Sequence, residues 1–192
     1  AGTTILTVLL ASSWDRLRMA SWPLYLLGLV GLVLVFTPMG VTAYAASRWI
    51  SLGGINFQPS EFAKVALVLV MAHYLAANEG RLGDVAGVVV PALAIPVPMI
   101  VLLMLEPDFG TTVITCGLVG IMLFVAGLQW RYVLGLGGVG LSALAAISVL
   151  EPYRVQRLTS FLDPFANADT GGYQVIQGWI AMGSGGWTGA GM

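Results

Sequence analysis

Charge is scarce in this chain. Asp, Glu, Lys and Arg together make up 9% of it, against roughly a quarter in soluble domains. Cysteine occurs once, as Cys116 inside an apolar run, which excludes an intramolecular disulfide and a thiolate metal site. Histidine also occurs once. His73 lies in an apolar stretch with no neighbour to complete a metal set, and it reads as a packing residue. The net charge of −1 and the absence of any basic run argue against a nucleic-acid partner. No basic stretch and cleavage site open the chain, so a removed signal peptide is not supported. Period-two alternation is missing from the apolar runs, which argues against a membrane barrel.

What remains is apolar: 58% of residues are hydrophobic and the mean hydropathy is +0.90. The few charges are also segregated. None falls between Arg18 and Arg48, Asp84 and Glu106, Asp108 and Arg131, or Arg131 and Glu151. Each gap is long enough for a helix to cross a bilayer core, which takes about 20 residues. The reading is an all-α, polytopic transmembrane bundle of about six helical segments over residues 1–150. A long extracytoplasmic loop with a short interfacial helix follows over 151–192.

The first segment, about 2–13, is too short to span and is expected to be the end of a helix begun upstream. The others are expected at about 22–44, 59–77, 86–105, 110–128 and 132–150, with Trp14-Asp15-Arg16-Leu17-Arg18 as a polar turn. Pro91, Pro96 and Pro98 should kink the 86–105 span and leave carbonyls for neighbouring helices to satisfy. The interfacial helix is expected near 173–182, with Trp179 and Trp187 at the membrane boundary. Parity puts 45–58, 106–109 and everything after Glu151 on one face, read as the outer one. An excess of Lys and Arg in the opposite loops barely supports that orientation. A chain that starts at Ala1 and ends in a Gly-rich run is expected to be an internal piece of something longer.

Charges at or near membrane depth usually mark a site. Arg48, Lys64, Arg154 and Arg157 share the outer face, a set suited to an anionic head group, because guanidinium forks match phosphate oxygens. Arg48-Trp49 also suits a plain interfacial anchor. Glu61 and Lys64 share a helix face as an i,i+3 pair, which either helps Lys64 tolerate the interface or lines a cavity. In Glu106-Pro107-Asp108, Pro107 should end one helix and Asp108 cap the next. Glu106 has no such structural task and is the better candidate to hold a cation or a sugar hydroxyl. Asp163 and Asp169 read as turn residues. Gly183-Ser184-Gly185-Gly186 lacks the ending and the strand of a P-loop.

Four separated blocks occur in order: SRWISLGG with NFQPSEFAK (47–64), EPDFGT (106–111), EPYRVQRLTSFLDP (151–164) and GGYQVIQGWIAMGSGGWTGAG (171–191). They resemble the SEDS family (FtsW/RodA/SpoVE) of multi-spanning peptidoglycan glycosyltransferases, and the EPYR block is nearer the division branch than the elongation branch. The resemblance implies a lipid II polymerase in the bacterial cytoplasmic (inner) membrane with its site on the outer face. Its partners would be a class B penicillin-binding protein and other division or elongation membrane proteins. Carried over, Arg48, Lys64, Arg154 and Arg157 would serve the lipid pyrophosphate. Trp49, Gln58, Ser60, Glu61, Glu106 and Asp108 would line the cavity, with Glu106 and Asp108 as candidates for a divalent cation (Mg or Mn). The family's catalytic Asp is expected beyond Met192, so the chain alone is expected to be inactive. A flippase for the same lipid precursor and a membrane scaffold of the division machinery are the alternatives.

Overall fold

The computed structural model describes residues 13–38, 40–43, 46–52, 55–149, 163–165, 172–186 and 189. Helix α1 (Trp14–Leu34) starts after Ser13 and runs through the segment expected as a polar turn. Polar side chains do not stop a helix when neither Gly nor Pro is present, and Asp15 in the first turn suits the helix dipole. The other end corrects the expected 22–44 span. Pro38 disfavours helical backbone in the residue before it, and the chain turns at once into a sheet. A Cβ at Gly40 would collide with the Val35 carbonyl, so only glycine makes that return.

Three antiparallel strands follow in the order β1 (Gly40–Ala43), β2 (Ala46–Leu52), β3 (Ile55–Phe57). This small sheet is the one kind of element that the helical reading did not include. Val41 pairs with Trp49 and Thr42 with Ser47, so the register shifts at that point and Arg48 is the extra residue on β2. Such bulges bend a strand and re-aim a side chain.

Helix α2 (Pro59–Ala77) opens with Pro at its first position and Glu61 in its first turn. The next span, expected to be kinked, comes in three pieces. A π-helical turn (Val85–Val89) leads into α3 (Val90–Ala94), and α4 (Val97–Leu105) follows. The break falls at Ile95-Pro96. Tyr25 of α1 donates its hydroxyl proton to the Ile95 carbonyl, and Tyr74 of α2 donates to the Val88 carbonyl. Neighbouring helices therefore bond carbonyls of the broken span, although these are not the Gly87, Ala92 and Ala94 carbonyls whose i+4 donors Pro91, Pro96 and Pro98 remove. After a short turn comes α5 (Phe109–Val125), then α6 (Trp130–Val149). Among the described residues, Trp14–Val35, Pro59–Ala77 and Val85–Leu105 are long and apolar enough to cross a membrane, and Phe109–Val125 is a shorter apolar helix.

The chain divides into two compact units, Ala1–Gly137 and Gly138–Met192. In the first, α1 and α2 pack most closely. Ser21, Tyr25, Gly28 and Leu32 form the buried stripe of α1, and Ala63, Ala66, Leu67 and Val70 are buried on α2. A Cβ at Gly28 would lie 3.0 Å from the Ala63 Cα, and one at Gly31 would lie 3.2 Å from the Pro59 Cβ. Small residues at such crossings let membrane helices approach backbone to backbone. Leu67, Met71, Met99, Leu103 and Leu123 complete a fully buried core. In the second unit, α7 (Tyr173–Gly185) is found where an interfacial helix was expected, and Trp179 packs its ring on Phe165 at 5.9 Å. The first apolar segment, Arg154, Arg157, Asp169 and Trp187 lie outside the described residues.

Candidate functional site

The bulge in β2 delivers Arg48 to the turn between α4 and α5. Its Nη2 donates to the Pro107 carbonyl at 2.7 Å, and its Nη1 lies 3.9 Å from Asp108 Oδ1. The strand segment and the 106–109 turn therefore lie at one end of the bundle, the pairing that parity predicts. Asp108 is the expected N-cap. Its Oδ1 accepts from the Thr111 amide at 3.3 Å and its Oδ2 from the Thr111 hydroxyl at 2.8 Å. Thr112 donates its hydroxyl proton to the Asp108 carbonyl and Thr115 to the Thr111 carbonyl. Three buried threonines thus stiffen the first turns of α5. The sequence reading did not single them out, although their 3–4 spacing behind an expected cap was the available signal.

Glu106 is the outlier of the cluster. It is 2% exposed, and its Oε1 is buried without a hydrogen-bond partner. Burial pushes its carboxyl up from 4.5 to about 7; the Asp108 charge adds to that rise and the Arg48 charge opposes it. Arg48 Nε is likewise buried without a partner. Buried polar atoms left unpaired are rare, and each calls for an explanation.

Lys64 and Glu61 make a separate ion pair at 2.9 Å, with Glu61 largely in the open and Lys64 mostly covered. Gln58 donates from Nε2 to the Ser60 hydroxyl at 3.1 Å, and Ser60 is buried at the start of α2. These two residues are engaged with each other, whereas Trp49 stands partly exposed on β2. At the other end of the first unit, His73 Nδ1 and Ser21 Oγ are 2.8 Å apart. Because the Ser21 hydroxyl donates to the Arg18 carbonyl at 2.7 Å, the His73 ring must be the donor in that pair. That fits the packing role read for His73. Among the described residues, no three His, Cys, Asp or Glu side chains come together as a metal set. Asp108 already directs both oxygens at Thr111, which leaves Glu106 alone with an uncommitted oxygen. The two carboxylates do not by themselves fit a divalent cation.

Fold and site together define a polytopic helical membrane protein with a charged, hydrogen-bonded cluster at one end of its bundle. The chain belongs to the FtsW/RodA/SpoVE family, whose model, described as cell cycle protein, matches residues 1–192. It is 40% identical over 171 residues to the probable peptidoglycan glycosyltransferase FtsW of Geobacter sp. strain M18, covering 88% of this chain and 47% of that protein. The protein of the same name from Legionella pneumophila is 40% identical over 184 residues, covering 95% and 46%. The chain thus spans about half the length of the relatives it matches. A chain in the solved structure titled "Structural coordination of polymerization and crosslinking by a peptidoglycan synthase complex" superposes with a TM-score of 0.74. It is 35% identical and covers 97% of this chain and 55% of that one. The rod shape determining protein RodA of Thermus thermophilus superposes with a TM-score of 0.60, at 36% identity over 77% of this chain and 46% of that one.

Proposed function

We propose that the protein containing this chain polymerises lipid II at the outer face of the bacterial cytoplasmic membrane, together with a class B penicillin-binding protein. The observation that carries this reading is the 40% identity to proteins named peptidoglycan glycosyltransferase. The gathering of Arg48, Glu106 and Asp108 at one end of the bundle supports it. A sugar hydroxyl attacks the anomeric carbon of a second lipid-linked sugar, its proton passes to a base, and the lipid pyrophosphate leaves. The leaving group needs positive charge beside it. Lys64 is the described cation best placed to supply it, since its partner Glu61 is exposed and an exposed pair is weakly held. Arg154 and Arg157 are the further candidates. Glu106 and Asp108 border the sugar, and a divalent cation there would need ligands from beyond these two side chains.

A lipid transporter would need polar groups reachable from both faces. Here the break at Ile95-Pro96 is closed by Tyr25, and Ile95 and Met99 around it are buried, which weighs against that alternative. The test is a lipid II polymerisation gel on the full-length protein with its class B partner. Glycan strands are expected, and Lys64→Ala should raise the lipid II concentration needed for half-maximal rate. Movement of labelled lipid II across vesicles without any polymer would overturn the proposal in favour of a transporter.

A further inference from the structure

Arg48 looks like the natural pyrophosphate ligand, yet its surroundings argue otherwise. One arm of its fork already donates to the Pro107 carbonyl, the other sits within ion-pair range of the Asp108 carboxylate, and its Nε is buried although part of the side chain stays open to solvent. Asp108 in turn is fixed as the cap of α5 through both oxygens. An anion drawn to this guanidinium would therefore meet Asp108 and Glu106 at once. One guanidinium against two carboxyl groups leaves no surplus positive charge to attract a pyrophosphate. Lys64 differs in its partner: its side chain is the more covered of the two, at 20% exposed against 35% for Arg48, but the Glu61 carboxylate it pairs with is exposed, and it lies on the first turns of a helix.

The bulge completes the case. A regular β2 would have paired residue 48 with β1, whereas the shifted register leaves Arg48 as the unpaired extra residue. Its side chain thereby reaches a turn 59 residues away. Bulges beside active sites re-aim side chains in this way. We propose that Arg48 is a positioning residue: it pins the 106–109 turn, and with it Glu106 and the start of α5, and it does not contact the substrate's pyrophosphate. This rests on the polymerase reading for its kinetic consequences only.

The conservative substitution separates the two roles. Arg48→Lys keeps the positive charge but cannot hold a carbonyl and a carboxylate in one planar fork, whereas a lysine still binds phosphate as a point charge. In the full-length protein with its class B partner, Arg48→Lys and Arg48→Ala should both lower kcat by about 10-fold or more, as expected when reacting groups are misplaced. KM for lipid II should stay within about two-fold in both, the signature of a contact that does not bind the ground state. Lys64→Ala should raise KM instead. Amide hydrogen exchange over residues 109–112 should quicken in both Arg48 variants. Asp108→Asn, which retains a capping side chain, should quicken it less. A wild-type KM and kcat for Arg48→Lys, with a raised KM for Arg48→Ala, would overturn the proposal and make Arg48 an anion ligand. Unchanged exchange over 109–112 would overturn it as well. If the wild-type protein makes no glycan, the polymerase reading fails, and hydrogen exchange still decides whether Arg48 pins the turn.

Discussion

Glu106→Gln should stabilise this protein, and only at high pH. The carboxyl is buried with one oxygen unpaired, and its value is raised from 4.5 to about 7. Between those two values the folded state holds a proton that the unfolded chain has released. Stability therefore falls as pH rises through that interval: the contribution is fully present below about 4.5 and is lost above about 7. Each pH unit is worth about 1.4 kcal/mol, so the interval amounts to about 3 kcal/mol. Glutamine imitates the neutral acid and does not titrate. The variant should match the wild type near pH 4.5 and exceed it by up to about 3 kcal/mol near pH 8. For a chain of this size that is a rise of about 6–12 °C in melting temperature. Circular-dichroism melts of both proteins in detergent micelles at the two pH values measure it, and taking the difference removes the other carboxylates. An equal gap at both pH values would refute the reasoning, as would a variant less stable than the wild type near pH 8.

Two further outcomes concern the helix packing. Gly28→Val would place its Cβ 3.0 Å from the Ala63 Cα; overpacking of this kind costs about 1–3 kcal/mol, and the same melts should show the loss, with Ala63→Gly in the second site restoring part of it. Tyr25→Phe would remove the hydroxyl that satisfies the Ile95 carbonyl and should cost about 1–3 kcal/mol, with faster amide exchange confined to residues around the α3–α4 break.

Much of this architecture was legible because membrane depth allows so few options. Two of the charge-free gaps hold most of the span Trp14–Val35 and all of Val85–Leu105, the prolines at 91, 96 and 98 announced a break in the second of these, and Asp108 behind Pro107 announced a cap that the structure contains. The failures were also local in origin. Residues 35–44 are apolar enough to extend a span, and that signal outweighed Pro38 and Gly40, which mark the end of α1 and the return into β1. In the Trp14–Arg18 stretch, charge was mistaken for a helix breaker, although nothing in it prevents helical backbone. The partners of buried polar groups were beyond reach. Ser21 meets His73 across 52 positions and Tyr25 meets Ile95 across 70, and no local pattern encodes such distances. Parity could place Arg48 and Asp108 at the same end of the bundle. It could not show that they touch, because that depends on a one-residue shift in strand register.

The glycine contacts between α1 and α2 have a mechanical meaning. With Gly28 set against Ala63 and Gly31 against Pro59, the two backbones mesh like gear teeth and resist sliding or rolling past each other. They form a strut. Compliance in this half of the bundle then belongs to Ile95-Pro96, where the hydrogen-bond ladder is interrupted and a single tyrosine hydroxyl spans the gap. A load on the 106–109 turn would be shared between that joint, reached down α4, and β2, reached through Arg48.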